Sequence, residues 1–473
     1  MSRDFYLKQI NYKLDKVPLF FITNDPERAL GLEKLLQNYY IVCLDDSDIF
    51  TNLHLKVSNI FSLENSTKDL NAIFRSSAKL LDAEPVRQFI KSKDGKFLYF
   101  QTFKISSAFE ERAKEYGAML VNTNSILNQE FENKIPQYEN LEPAGIRFPK
   151  TLITKLNGAN YRYLKKTLDN KLVVQFNRGH TGSGTKIITG EGDYKELQAL
   201  FPERVARISE FIEGYPYTLN AVASKNGVFI GGLSYQVTGV KGIAPSKAAT
   251  VGNDFSYRKG ITKKIKDQIL EQVKKIGDAM IKKGFLGMFG VDLIVRGNEI
   301  FIIEVNARQP ASIPLYTKLQ LMQGQIPLSM LHIMEFLKIA NHEDAKSYSR
   351  ENIEPTAGGQ VFLRNNSKKP FAIKGRVKTG VYKMKGERGA DTDGVSIIKL
   401  GESIEKTVCF QKDGYSIEDI DGGFLLLSQL KGKRINPGGE LARIQAIQGL
   451  VGEDGLPHPW VIESLLAVKE YLL

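Results

Sequence analysis

The stretch that most constrains this chain is Gly290-Val291-Asp292-Leu293-Ile294-Val295-Arg296-Gly297-Asn298-Glu299, followed by Ile300-Phe301-Ile302-Ile303-Glu304-Val305-Asn306-Ala307-Arg308. Two β-branched, apolar runs separated by Arg-Gly-Asn read as a β-hairpin. On its second strand Phe301, Ile303, Val305 and Ala307 alternate with Ile302, Glu304, Asn306 and Arg308, so polar groups emerge on one face of a strand that otherwise demands burial. Such groups must be paired or bound to something. Asp292 and Glu304 are an even number of residues apart, so they share a face only if the turn holds an odd number of residues or a bulge shifts the register. A three-residue Arg296-Gly297-Asn298 loop puts Asp292 opposite Ile302, with Glu304 one diagonal step away on the same face. Two carboxylates and an amide oxygen in that reach form an all-oxygen set suited to Mg2+ carried by nucleotide phosphates. Arg308 stands where a transferring phosphoryl group is held. The competing reading is a plain ion pair of Arg308 with a carboxylate on a solvated sheet.

Two further segments carry chemistry. Lys171 to Ile188 reads as strand, glycine loop and returning strand, with glycines at 179, 182 and 184 and hydroxyls at Thr181, Ser183 and Thr185. Backbone N–H groups of such a loop can close around phosphate oxygens, although no helix follows directly and a flexible hairpin reads almost as well. His180 in that loop is given no role. Ser209-Glu210-Phe211-Ile212-Glu213-Gly214-Tyr215-Pro216-Tyr217-Thr218-Leu219-Asn220 is a short acidic and apolar linker leading into a strand. It suits the edge and face of an adenine, or an ordinary connector.

At 473 residues the chain exceeds what one core serves, so two to four packed units are expected. The first 124 residues alternate strands (Val17 to Thr23, Tyr39 to Leu44, Phe97 to Phe103, Ala118 to Val121) with helices (Pro26 to Leu36, Phe109 to Tyr116), which argues for a small open α/β domain. A helix is expected from Ser125 towards Leu141, then a strand-rich region to about Ala340, a polar linker from Asn341 to Pro355, and short strands at Gly375 to Met384, Gly394 to Leu400, Lys406 to Gln411 and Gly423 to Leu430. Helices near Glu440 to Gln448 and Pro459 to Leu472 close the chain. Cys43 and Cys409 lie far apart in apolar runs, which predicts two buried thiols and neither a disulfide framework nor a zinc cluster. No signal-peptide core opens the chain and no apolar run is long enough to span a bilayer, so a cytoplasmic protein is expected. The net charge of +12 is dispersed, as on the amphipathic helix Thr262 to Gly284, and weighs against a nucleic-acid partner.

Taken in order and spacing, from about Ser125 to Ala340, these segments resemble the ATP-grasp superfamily, and the alternation before them is similar to the domain that precedes ATP-grasp in biotin carboxylase and carbamoyl-phosphate synthetase. Glu304-Val305-Asn306-Ala307-Arg308 after Asp292 is the specific part. The resemblance implies an α/β and α+β chain: an N-terminal domain over 1–124, an ATP-grasp domain of two α+β subdomains over 125–345, and a C-terminal β-rich domain with terminal helices over 355–473. It implies ATP and Mg2+ as cofactors, with Asp292, Glu304 and Asn306 on the metal. Arg308, Glu304 and Asn306 become catalytic, and Glu210, Phe211 and Ile212 border the adenine. Lys134 matches the family's earlier phosphate-binding lysine, and Gln175, Gly182, Ser183, Gly184 and Thr185 line the phosphates. Two departures stand out. Gln175 replaces a second lysine and brings no charge, which shifts weight to Lys134, Arg178 or Lys186. Tyr217 stands where a ribose-binding glutamate is common, and Glu213 is its candidate replacement. The implied activity is an ADP-forming ligation of a small-molecule or peptide carboxylate to an amine, with no membrane partner; a homodimer is left open. The alternatives are a bicarbonate-activating carboxylase or carbamoyl-phosphate-type enzyme, and a non-catalytic ATP-binding regulator.

Overall fold

The apolar runs of the first 124 residues close into a parallel sheet of order β3-β2-β1-β4-β5, with β1 Leu19–Thr23, β2 Tyr39–Cys43, β3 Ile60–Ser62, β4 Leu98–Thr102 and β5 Ala118–Leu120. The computed structural model describes residues 1–50, 59–70, 74–93, 95, 97–177, 184–384 and 408–473. β1 and β2 read as unbroken apolar runs because both of their faces are covered: Phe21 and Ile41 join one core cluster, Phe20, Ile22 and Val42 another. β1 lies between β2 and β4, so the crevice of this sheet opens at the loops that follow β1 and β4. The helix expected from Pro26 is instead a four-residue 3-10 turn, Pro26–Ala29, capped by the Asp25 carboxylate on Glu27 N at 3.0 Å. The chain leaves it at Gly31, whose φ is 127° and which packs so closely on Thr317 that a Cβ would lie 2.9 Å from its methyl.

The expected single helix from Ser125 to Leu141 is two, Ser125–Glu132 and Lys134–Leu141, broken at Asn133 with ψ 133°. That break sets Lys134 at the head of its own helix. A small antiparallel sheet of order β6-β9-β7-β8 follows, from β6 Thr151–Lys155, β7 Leu172–Phe176, β8 Thr185–Ile188 and β9 Val205–Glu210.

The largest layer is antiparallel and has ten strands, in the order β14-β13-β10-β11-β12-β15-β21-β19-β17-β18. Its strands are β10 Tyr215–Ser224, β11 Gly227–Thr238, β12 Thr250–Asp254, β13 Gly287–Arg296, β14 Glu299–Asn306, β15 Gly359–Arg364, β17 Gly380–Met384, β18 Val408–Lys412, β19 Phe424–Ser428 and β21 Glu440–Ala446; β16 Phe371–Ala372 and β20 Arg434–Ile435 pair separately. The helix Lys263–Lys282 covers one face with Ile265, Ile269, Val273, Ile276 and Met280, all fully buried, and Thr262 caps it. The other face meets the helices Ile313–Met322 and Leu328–Phe336 and, beyond them, the N-terminal sheet.

Three expectations fail in the C-terminal half. In place of the helix expected over Glu440 to Gln448 stands the strand Glu440–Ala446, because β15 and β19 pair with it on either side and override its helix-favouring composition. Asn341 to Pro355 is no linker: Ala345–Asn352 is a helix that buries Tyr348, Ser349 and Asn352. Cys409 is only half-buried, although Cys43 is buried and both thiols are free. Gly394 to Leu400 and the first residues of the Lys406 strand lie outside the described residues. Among the described residues no helix is long and apolar enough to cross a membrane.

Candidate active site

The hairpin closes through a two-residue turn, with Arg296 facing Glu299, Val295 facing Ile300, Ile294 facing Phe301 and Leu293 facing Ile302. The expected three-residue loop is therefore absent. A bulge restores the parity: Ile303 is left over, and Asp292 faces Glu304, Val291 faces Val305 and Gly290 faces Asn306. The two carboxylates are direct cross-strand neighbours, closer than the diagonal arrangement expected from the sequence. Asp292 Oδ2 accepts from Asn306 Nδ2 at 3.2 Å, and Oδ1 accepts from Gln236 Nε2 at 2.9 Å. Thr218, opposite Asp292 on β10, adds its hydroxyl. Burial and then the charge of Glu304 push the Asp292 carboxyl up to about 6, against the hydrogen bonds that favour its charge. Asp292, Glu304 and Asn306 would offer a divalent cation two carboxylates and one amide oxygen, and its charge would relieve this crowding, which fits the all-oxygen, partly hydrated coordination of Mg2+.

Cations surround the pair. The Lys134 ammonium bonds to Glu304 Oε1. Arg308 gives Nη2 to Asn306 Oδ1 at 2.8 Å and Nε to Glu132 Oε1 at 2.9 Å. The Lys104 ammonium, from the loop after β4, donates to the same Glu132 oxygen at 2.9 Å, and the Ala307 N–H donates to Oε2 at 2.9 Å. Burial alone would raise the Glu132 carboxyl; Arg308 and Lys104 beside it hold it down at about 2.

Sequence reasoning missed Arg207 as well as Glu132 and Lys104. Arg207 is 1% exposed on β9, directly opposite Gln175 of β7, with its guanidinium 5.3 Å from the Tyr138 ring centroid and 5.1 Å from that of Phe148. Its Nη1 donates to the Ile303 carbonyl at 3.1 Å, and Nε is buried without an acceptor. Burial lowers its pKa to about 10 although Glu304 and Tyr138 favour the charge, so it stays a cation. The charge that Gln175 lacks is thus present one strand away. An arginine in the centre of the apolar run Val205-Ala206-Arg207-Ile208 was the signal.

The other candidates fall into place unevenly. Gln175 is buried and faces Thr185, while Gly184 accepts from the Phe176 N–H at 2.9 Å. Gly182 and Ser183, with Arg178 and His180, lie outside the described residues. Lys186 is exposed. Glu210 accepts from Lys150 N at 2.8 Å, the Lys171 ammonium stands 3.6 Å from the Phe211 ring centroid, Ile212 is buried and Glu213 is exposed. Of these four, Glu210 contacts Lys150 and Phe211 contacts Lys171. Tyr217 points away from the site: it is buried in the core under the Lys263–Lys282 helix, its hydroxyl donating to the Lys259 carbonyl at 2.7 Å. The side chain on the carboxylate face is its neighbour Thr218.

A polar row continues from this face across the large sheet. Gln236 pairs with Asn253, Asn253 with Gln360, and Gln360 with Gln445, in register on β11, β12, β15 and β21. Asn253, Gln360 and Gln445 are all buried.

Residues 131–312 match the family of the ATP-grasp domain. The chain carries an ATP-grasp domain. Its fold is similar to the biotin carboxylase domain of Hydrogenobacter thermophilus 2-oxoglutarate carboxylase, solved with MgADP, ADP and bicarbonate, at TM-score 0.56 and 12% identity over 90% of this chain and 85% of that one. Biotin carboxylase from Campylobacter jejuni gives TM-score 0.56 and 13% identity over 91% and 87%. N5-carboxyaminoimidazole synthase from Aspergillus clavatus gives 0.52 and 13% over 97% and 99%. These likenesses extend the ATP-grasp fold to the small α/β domain ahead of it. The carbamoyl phosphate synthase large chain of Pseudomonas aeruginosa is 41% identical over 54 residues, 11% of this chain, and the match spans 5% of that relative's length.

Proposed function

We propose that this chain is an ADP-forming ligase that uses ATP and Mg2+ to activate a carboxylate as an acyl phosphate and then joins it to an amine. The observation that supports this most is the bulge that sets Asp292 against Glu304, with Asn306, Lys134 and Arg308 in contact around them. Asp292, Glu304 and Asn306 are the residues that would hold magnesium, which when bound neutralises phosphate oxygens. Lys134, Gln175, Gly184 and Thr185 would line the phosphates, and Glu210, Phe211, Ile212 and Glu213 would border the adenosine. Lys134 has three N–H donors and one carboxylate contact, so donors remain for a phosphate oxygen. Arg207 supplies the positive charge opposite Gln175. Arg308, oriented by Glu132 and Asn306, keeps N–H groups for the charge that spreads over the transferring phosphoryl group. The substrate carboxylate attacks the γ-phosphorus as the bond to ADP breaks, and the amine nitrogen then displaces phosphate from the acyl carbon. In this reading residues 1–124 contribute to the acid substrate's site, 125–345 hold the nucleotide, and 355–473 close the far side.

The test is incubation with ATP, Mg2+, pooled carboxylic acids and hydroxylamine, with ADP, phosphate and hydroxamate assayed beside Glu304→Ala. Hydroxamate that depends on one pool and vanishes in the variant is the expected result. ATP bound tightly and consumed with no pool would favour the regulatory reading, for which the uncharged Gln175 speaks and against which Arg207 stands.

A further inference from the structure

Four guanidiniums meet where the N-terminal sheet, the hairpin and the C-terminal strands come together. Arg28 and Arg308 lie against the Phe103 ring, 4.6 and 5.3 Å from its centroid. Arg443 and Arg364 lie against the Phe362 ring, at 4.6 and 5.3 Å. Arg443 Nη1 is 2.6 Å from Glu27, the neighbour of Arg28 in the turn after β1, so an ion pair joins the two groups. The segments involved come from both ends of the chain and from the end of β14.

The charges here do not balance. Arg28 has Asp25 at 3.3 Å, Arg443 has Glu27 and Glu440, and Arg308 shares Glu132 with Lys104. Adding Arg364, five cations face four carboxylates. Arg364 faces Glu440 across the strands, but both oxygens of that carboxylate are bonded to Arg443, so Arg364 only shares its charge; its Nη1 donates to the Gly438 carbonyl at 3.1 Å, and its Nε is buried with no acceptor. A guanidinium drawn out of water with only a shared counter-charge is costly unless a further anion comes to it. A second unmet donor lies in the adjoining polar row. Gln360 is 0% exposed and its Nε2 has no acceptor, while its Oε1 accepts from Gln445 Nε2 at 3.2 Å. Gln360 is two residues from Phe362 and in register with Gln445, itself two residues from Arg443, so row and guanidiniums adjoin.

We infer that this junction binds a second anionic group of the acid that the chain activates. Arg364, with Arg443 and Arg28, docks a carboxylate or phosphate remote from the reacting carboxylate at Arg308, and Gln360 meets an acceptor between them. The substrate is therefore an acid with at least two anionic groups, of the planar, bidentate kind that guanidinium forks recognise. Calling it the substrate rests on the ligase reading; the anion site itself does not.

The full chain is titrated with inorganic phosphate, followed by 31P line width, and with succinate, followed by 13C line width. Chloride holds ionic strength constant and acetate is the singly charged control. Saturable binding of either probe is expected, at least about tenfold weaker in Arg364→Ala and unchanged in Lys263→Ala, on the exposed face of the Lys263–Lys282 helix. A response to phosphate points to a phosphorylated acid, and one to succinate points to a dicarboxylic acid. If Arg364→Ala does not fold, Arg364→Lys carries the test, because it keeps the charge and loses the fork, and a severalfold weaker site is expected. No saturable binding of either probe, or full affinity in the folded Arg364 variant, overturns the inference. Anion binding retained in a protein that makes no hydroxamate would sink the ligase reading alone.

Discussion

Glu132→Gln tests how the cations of the site are held in place. The Glu132 carboxyl lies at about 2 in the folded chain against an ordinary 4.5, and its side chain is 9% exposed, so little of the interaction is screened. At about 1.4 kcal/mol per pKa unit, the ionised group contributes about 3 kcal/mol at neutral pH. The sign follows from the direction of the shift. A carboxyl with a depressed folded pKa stabilises fully above its unfolded value and loses that contribution as pH falls through 4.5 towards 2. About half is gone by pH 3. Glutamine keeps the shape but leaves Arg308 and Lys104 without their shared counter-charge. Urea unfolding followed by circular dichroism at pH 7 should show the variant about 3 kcal/mol less stable, with the gap roughly halved near pH 3. Hydroxamate formation should also fall by about a hundredfold, because Arg308 loses the contact that orients it. Equal stability of both proteins at pH 7, or a gap that does not shrink in acid, would refute the reasoning.

Arg207→Gln should weaken ADP binding by roughly ten- to a hundredfold, the worth of a charge-assisted hydrogen bond, as read by calorimetric titration. Gln175→Lys should not strengthen binding: it sets a like charge directly opposite Arg207, and a lowered thermal midpoint is the expected readout. His332 is buried, its Nδ1 accepting from Met288 N at 3.1 Å while Nε2 donates to the Val121 carbonyl at 3.0 Å, and burial lowers its pKa from 6.5 to about 4. Its contribution is complete above pH 6.5 and is lost as pH falls towards 4, so unfolding experiments on His332→Gln should show a shallower acid slope than the parent protein over that window.

The legibility of the fold tracked how local its causes are. The helix Lys263–Lys282 and the runs of β1 and β2 were visible because burial on one helix face, or on both strand faces, leaves a periodicity that a short window can see. β21 was not visible, since Glu-Leu-Ala-Arg favours a helix and only pairing with β15 and β19 makes it a strand. The helix Ala345–Asn352 was hidden for the opposite reason: its polar composition suggested solvent, yet Tyr348 and Asn352 hydrogen-bond in the interior, where Gln320 donates to both side chains at 2.9 and 2.8 Å. In the site, Asp292, Glu304, Asn306 and Arg308 were legible because alternation exposes polar residues on an apolar strand. Glu132 and Lys104 were not, because their meeting with Arg308 depends on packing between segments far apart in the chain.

The bulge at Ile303 was legible only as one of two ways to satisfy parity, and it does a second thing that parity could not reveal. A residue left over from a ladder has a carbonyl without its cross-strand partner, and that of Ile303 accepts from Arg207 of the small sheet. One irregularity therefore sets the carboxylates face to face and ties the β6–β9 sheet to the hairpin. Deleting Ile303 separates the two effects. With a two-residue turn and no bulge, Asp292 still falls opposite Glu304, so a metal bound at the pair should survive, as read by Mn2+ electron paramagnetic resonance. The carbonyl that anchors Arg207 is gone, so nucleotide binding should weaken about as much as in Arg207→Gln. If the deletion abolishes Mn2+ binding in a folded protein, or leaves nucleotide affinity intact, then the bulge serves the metal pair alone and the link between the two sheets runs elsewhere.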